Sequence, residues 1–391
     1  MRVLAISHSC VTAVNQQQFV ELNNLADTEV ELLIPSNWKN DYSPAPIAPT
    51  LLPTVEFPVH RSKVAIAGNV SLHFYPLLPV QHLSNRKFDI ILSTQEPWSL
   101  SGLQAIVLSR LMRAPLVFQT NQNIYKQYPP PFCWIEQLSY RVAAIGLAYS
   151  EEARQVMIRK GFSSPSRVVP YGTDLALFRK QASSELREQL GVQQSIVIGY
   201  MGRLVPEKGL VDLVNAVSIL IARLPMSNVK LLFVGSGVQE RELRELSQAV
   251  GIADSVVFAG AVPHDQAGKY MNCIDIFALP SRTRSNWKEQ FGRVIIESMA
   301  CGIPVVGSDS GQIPHLIHDT GGGIVFKEGV SEDLATSLES LVVDAALRDK
   351  LGRIGMNAVT ERYTYAAVAH ALRDALGSAL ELAGSSAAPA P

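Results

Sequence analysis

Arg203 and Lys208 lie close together in the run Ile198-Gly-Tyr-Met-Gly202-Arg203-Leu-Val-Pro-Glu207-Lys208-Gly209. A β-type segment ends in glycine, a tight loop carries both cations, and a helix begins at Gly209. Backbone N–H groups at a helix start attract anions, and two cations on one loop suit a diphosphate. The same run also reads as a solvated loop with incidental charges. A second run, Glu289-Gln290-Phe291-Gly292-Arg293-Val294-Ile-Ile-Glu297, leads into Ser-Met-Ala300-Cys-Gly302-Ile-Pro304-Val-Val-Gly307. Phe291-Gly292 forms a loop before a helix, so the first turn offers unpaired N–H donors, and Glu297 sits about one turn in. A carboxylate accepting two hydroxyl donors holds a ribose diol, and Glu289, still in the loop, reaches a sugar or its developing charge.

Two further runs carry less. Val169-Pro-Tyr-Gly172-Thr-Asp174-Leu-Ala-Leu-Phe178 reads as an ordinary turn with a buried Phe anchor. Gly235-Ser-Gly237-Val-Gln-Glu240 follows a strand and opens a helix, but Glu240 replaces the third glycine of a dinucleotide fingerprint and Val256 stands where an acidic ribose ligand belongs. Dehydrogenase chemistry is excluded, although this loop still suits packing against a nucleotide.

The elements that position these residues are short apolar runs alternating with helical patterns. In the first half the strands are expected at Val3–Ile6, Val30–Ile34, Asp89–Leu92, Leu116–Gln119, Ile145–Ala148 and Arg167–Val169. Several are apolar throughout, as parallel strands covered on both faces are. The rhythm breaks over Pro35–Pro79, an irregular, proline-rich insertion, and restarts at Ile196–Tyr200 after a polar linker at Lys180–Ser195. Two βαβ-alternating halves imply two doubly wound α/β domains with ligands at the carboxyl ends of the strands.

Composition narrows the function. The 391 residues are 47% apolar and 18% charged, ample for two cores. Lys and Arg number 34 against 35 Asp and Glu, a net charge of −1 that argues against a partner such as bulk nucleic acid. Residues 1–180 nevertheless hold 16 basic and 12 acidic side chains. Arg61, Lys63, Arg86, Lys87, Arg110 and Arg113 could dock that half on anionic lipid headgroups. Cys10, Cys133, Cys273 and Cys301 are far apart, which fits a reducing cytosol and implies neither disulfides nor a zinc site. No signal-peptide core or membrane span is evident, so the expected location is cytoplasmic, with any membrane contact peripheral at the inner face of the plasma membrane.

In their order, Gly202-Arg203…Lys208-Gly209, Glu289-Gln-Phe-Gly…Glu297, Ala300-Cys-Gly-Ile-Pro-Val-Val and the Val169–Phe178 run resemble the GT-B-fold retaining glycosyltransferases of family 4, glycosyl transferases group 1. The resemblance covers nearly the whole chain, strongly over Ser150–Phe326. It implies two Rossmann-like doubly wound domains facing a central cleft: 1–180 for the acceptor, rejoined by a C-terminal helix at about 363–382, and 195–362 for the donor, with 383–391 as a flexible tail. It also implies that Arg203 and Lys208 neutralise the departing diphosphate, that Glu297 binds the ribose, and that Glu289 contacts the sugar. Gly202 and the backbone from Gln290 through Phe291, Gly292, Arg293 and Val294 would hold sugar and phosphate, and the Val262 loop would meet the base. The donor is a nucleotide sugar as co-substrate, with no cofactor and no metal.

Two stretches depart from the family pattern. The first βα loop, Ser7–Asn15, has no glycine, and Asn121 stands where many relatives carry a His. As a contact of the donor sugar, Asn bonds a hydroxyl but carries no proton. His8 is a conceivable substitute, although a lone His at a strand end is more often structural. The expected reaction moves a sugar, from a UDP-sugar first and GDP-mannose second, to a hydroxyl of a saccharide or lipid-linked saccharide in envelope or exopolysaccharide synthesis. The rival readings are a sugar-nucleotide epimerase of the same architecture and a nucleotide-sugar-binding module without turnover.

Overall fold

The computed structural model describes residues 1–39, 46–76 and 87–386. The chain divides into two compact units, Met1–Pro170 with Tyr365–Pro391, and Tyr171–Thr364. The division falls at Pro170, ahead of the expected 180. The polar stretch from Lys180 belongs to the second unit and is not a free linker: it holds a short helix, Ser184–Gln189, whose Arg187 guanidinium bonds Asp275 and the Ser195 and Cys273 carbonyls. Helix-forming Glu, Leu and Arg residues there outweigh its polarity.

The first unit is a seven-stranded parallel sheet of β1 (Arg2–Ile6), β2 (Glu29–Pro35), β3 (Val59–Ser62), β4 (Ile90–Ser93), β5 (Leu116–Thr120), β6 (Ile145–Ala148) and β7 (Ser166–Val168), in the order β3-β2-β1-β4-β5-β6-β7. Successive residues alternate between two buried faces. Val3, Ala5, Leu32 and Leu92 join one core, while Leu4, Ile6, Leu33 and Ile91 join the other. On the first face lie α1 (Gln17–Asn23) and the long C-terminal helix, Tyr365–Ser386, which buries Val368, Leu372 and Leu376. The opposite face is covered by α2 (Leu100–Met112), with α3 (Phe132–Val142) packed beside it. Ser99 caps α2 by accepting from Gly102 N–H at 2.9 Å. Edge strand β3 lies inside the stretch read as irregular. Its sequence, Val-His-Arg-Ser, lacks the apolar run that marks the central strands.

The second unit is a six-stranded parallel sheet. Its strands are β8 (Ile196–Met201), β9 (Val229–Val234), β10 (Val256–Gly260), β11 (Ile276–Leu279), β12 (Val305–Ser308) and β13 (Gly323–Phe326), in the order β10-β9-β8-β11-β12-β13. The order reverses between β8 and β11, and the crevice at such a switch point is where open α/β sheets bind ligands. Two helices begin there: α4 (Leu210–Arg223) after β8 and α5 (Arg293–Ala300) after β11. Among the described residues no helix is long and apolar enough to cross a membrane. The expected tail is helical as far as Ser386, and 387–391 lie outside the described residues.

Candidate active site

Three glycines shape the crevice of the second unit. Gly209 takes φ 67° at the start of α4, and a Cβ there would fall 1.9 Å from Pro280 O. Gly235, at φ 140°, lies so close to the preceding loop that its Cβ would fall 1.9 Å from Gly202 O. Gly292 caps α5 at φ 80°. Only glycine adopts these conformations without strain, so backbone packs against backbone and the crevice floor stays open.

Polar anchors fix the loops further. Arg282 N–H donates to Glu207 O at 2.9 Å, and the Arg282 guanidinium pairs with the buried Asp212 carboxylate in the first turn of α4. Arg284 Nη2 donates to Pro206 O at 3.1 Å. The loop after β11 is thereby tied to the loop after β8, bringing Glu289 to Lys208. Lys208 Nζ donates to Glu289 Oε2 at 2.5 Å, Ser281 Oγ donates to the same oxygen at 2.9 Å, and the ammonium lies 5.1 Å from the centre of the Trp287 ring. Arg203 is more exposed, with a loose 3.9 Å contact to Glu207.

These residues border a cavity of about 550 Å³, large enough for a nucleoside diphosphate. Gly202, Arg203, Lys208, Val262, Glu289, Gly292, Arg293, Val294 and Glu297 all line it. Glu297 lies in the second turn of α5, and no described residue donates a hydrogen bond to its carboxylate. Burial pushes that carboxyl up to about 7, against the opposing pull of Arg293. The Arg293 guanidinium also lies 4.5 Å from the centre of the Tyr171 ring. Cations thus gather near the start of α5, and an unbonded carboxylate lies deeper.

Two expected residues stand apart from this lining. Gln290 is exposed to solvent, and the Phe291 side chain is core, packed on Tyr171 and Tyr363, which leaves only its backbone for a ligand. Ser236 lines the cavity from the Gly235–Gly237 loop expected to pack against a nucleotide, and His264, which was not singled out, lines it from the loop after β10. Burial lowers the His264 pKa, and Arg293 lowers it further. Phe178 is the expected buried anchor and meets the His264 ring edge-on at 6.0 Å.

Asn121 belongs to the first unit, at the carboxyl end of β5. Its N–H donates to Glu96 Oε1 at 3.1 Å, and Thr120 Oγ1 donates to Glu96 Oε2 at 2.5 Å. Burial pushes this carboxyl, another residue not singled out, up to about 7. The glycine-free loop Ser7–Asn15 closes into short 3-10 turns that bury Cys10 and Val11. His8 Nδ1 bonds Gln95 Oε1 at 2.7 Å in a ring cluster with Trp38 and His73, where burial lowers its pKa to about 4. Its imidazole is therefore neutral at ordinary pH. Among the described residues no group of His, Cys, Asp and Glu is arranged to hold a metal ion.

Residues 182–358 match the sequence family described as Glycosyl transferases group 1. The GDP-mannose-dependent alpha-(1-6)-phosphatidylinositol monomannoside mannosyltransferase of Mycobacterium tuberculosis is 31% identical over 212 residues, 53% of this chain and 54% of that protein. A D-inositol 3-phosphate glycosyltransferase of Nocardia farcinica is 32% identical over 240 residues, 59% of this chain and 51% of its own length. The chain thus spans about half the length of these curated relatives. Anabaena HepE in complex with UDP superposes with a TM-score of 0.75 at 20% identity, covering 97% of this chain and 100% of that one, a likeness of fold. Residues 182–358 are thus similar to the glycosyl transferases group 1 family, and the two parallel sheets are those of a GT-B fold.

Proposed function

We propose that this protein is a retaining glycosyltransferase that moves a sugar from a nucleoside diphosphate sugar to a hydroxyl acceptor. The observation that carries this reading is the cavity of the second unit, with two cations and a helix start at one place and an unbonded carboxylate, Glu297, deeper in. That spacing suits a ribose held by Glu297 and a diphosphate held by Arg203, Lys208 and the first turn of α5. On donor binding Lys208 turns from Glu289 to the diphosphate, and Glu289, still held by Ser281, accepts from the sugar hydroxyls. The bond from the anomeric carbon to the phosphate oxygen breaks, and a bond to the acceptor oxygen forms on the same face. The departing phosphate takes the acceptor proton, while Arg203 and Lys208 stabilise the leaving charge without a metal.

A UDP-sugar is our first donor, and GDP-mannose, the donor in the name of the mycobacterial relative, is its rival. We assign acceptor recognition to the first unit. The acceptor is a saccharide or lipid-linked saccharide of the cell envelope or an exopolysaccharide, reached from the cytoplasmic side of the membrane. A thermal-shift screen with UDP, GDP and ADP and their sugars tests the donor site. Stabilisation by one nucleoside diphosphate and its sugar is expected, and loss of that response in Arg203→Ala ties it to the cations. An unchanged response in that variant would remove Arg203 from the clamp.

A further inference from the structure

We propose that Lys208, Glu289 and Trp287 form a latch that the donor sugar opens, so that Lys208 joins the diphosphate only when a sugar is attached. The proposal deepens the donor reading above and rests on it. Its basis is that two partners compete for the Glu289 carboxylate. In the structure the Lys208 ammonium holds it, and both side chains are largely buried, 15% and 11% exposed. Turning Lys208 to a bare diphosphate strips a buried carboxylate of its cation, a loss that the new ion pair offsets poorly. A donor sugar changes the balance, because its hydroxyls donate to the carboxylate that the ammonium leaves.

Three features build the closed state. First, the Glu289 backbone is pinned: Gln312 N–H donates to Glu289 O at 3.1 Å, and a Cβ on Gly311, at φ 58°, would fall 2.0 Å from that oxygen. Lys208, on its flexible stem, is therefore the partner that moves. Second, the Trp287 ring centre lies 5.1 Å from the ammonium, a cation–π contact that favours the paired position. Trp287 does not line the cavity, so it acts on the lysine rather than on the nucleotide. Third, the ring is held in place. Arg284 N–H donates to Trp287 O at 2.7 Å across a tight turn, and the Arg284 side chain bonds Pro206 O in the loop of Lys208. After transfer the sugar is gone, Glu289 recovers the ammonium, and the nucleoside diphosphate leaves more easily.

The test is calorimetry on the full chain without acceptor, with UDP against UDP-glucose and GDP against GDP-mannose. Glu289→Gln should tighten nucleoside diphosphate binding about tenfold, because Lys208 is released to the diphosphate. In a Lys208→Ala background the same change should alter that affinity by less than about twofold. Relief of charge repulsion alone would give the gain in both backgrounds and would overturn the latch. Trp287→Leu should give a smaller gain, about threefold, and Trp287→Phe, which keeps a ring face, should restore the parent value. A damaged fold does not tighten binding, so these gains report the latch. Tryptophan emission reads it directly. The nucleotide sugar should change the emission, the nucleoside diphosphate should not, and the change should vanish in Trp287→Phe. Equal responses to both ligands would overturn the proposal. If nucleotides bind the parent but Glu289→Gln tightens nothing, the latch alone fails; if none binds, the donor reading fails with it.

Discussion

The Lys208 ammonium sits 2.5 Å from Glu289 Oε2, a largely buried pair whose charges cancel until the donor arrives. Removing the lysine takes away a preorganised cation and leaves the Glu289 carboxylate with Ser281. Lys208→Ala should therefore lower kcat by about a hundred- to a thousandfold, measured as nucleotide release from the active donor. Arg203→Ala should weaken nucleoside diphosphate binding by about ten- to a hundredfold while sparing the nucleoside, a contrast calorimetry reads directly. Glu297 makes a pH prediction. Its free carboxyl titrates at about 7, and ribose hydroxyls bond best to the charged form, so nucleotide binding lowers that pKa and releases a proton. Affinity should rise as pH increases through about 7 and then level off, and Glu297→Gln should abolish the slope. For stability the sign is opposite. The folded state holds the proton more tightly than the unfolded chain, so this contribution is full below the ordinary carboxylate range and is lost as pH rises through about 7.

At the level of elements, the crevice depends on loops touching backbone to backbone. Gly235→Ala would set a Cβ 1.9 Å from Gly202 O at a φ that disfavours side chains. A loss of about 2–4 kcal/mol and weakened nucleotide binding are expected, read by chemical denaturation and calorimetry. Much of this architecture was legible. The central strands are uninterrupted apolar runs, and the Gly202–Gly209 and Glu289–Glu297 motifs lie on loops followed by helices, as their spacing implied. What escaped has physical reasons. Strand β3 is a half-buried edge with no apolar pattern, and Ser184–Gln189 looks polar because its contacts are made by Arg187. His264 reaches the cavity only because β10 lies on the same side of the sheet as β9 and β8. Gln290 and Phe291 were expected to act through their backbone, and with one side chain exposed and the other in the core only the backbone is left to do so. Glu96 meets Thr120 and Asn121 only through the pairing of β4 with β5.

Over the whole molecule, the charge imbalance between the halves softens once the units are drawn. The first unit carries 15 basic and 13 acidic side chains and the second 19 and 22. The electrostatic feature that survives is local, a cavity at the ends of α2 and α3 that Arg110, Arg113 and Arg141 line. Of the six cations read as a lipid-docking set, Arg110 and Arg113 stand there, Arg61 lies on edge strand β3, Lys63 and Lys87 do not line that cavity, and Arg86 lies outside the described residues. The C-terminal helix supplies core to the first unit, so Leu372→Ala, at a fully buried position, should cost about 2–5 kcal/mol there. Calorimetry should show the first unit's transition falling while nucleotide still stabilises the second. The central claim, transfer with retention from a nucleoside diphosphate sugar, is tested most directly by proton NMR of the full chain with UDP- and GDP-sugars and a panel of glycoside acceptors. A new glycoside whose anomeric configuration matches the donor, formed together with free nucleoside diphosphate, is expected. An inverted product, or an isomerised nucleotide sugar formed without acceptor, would contradict it.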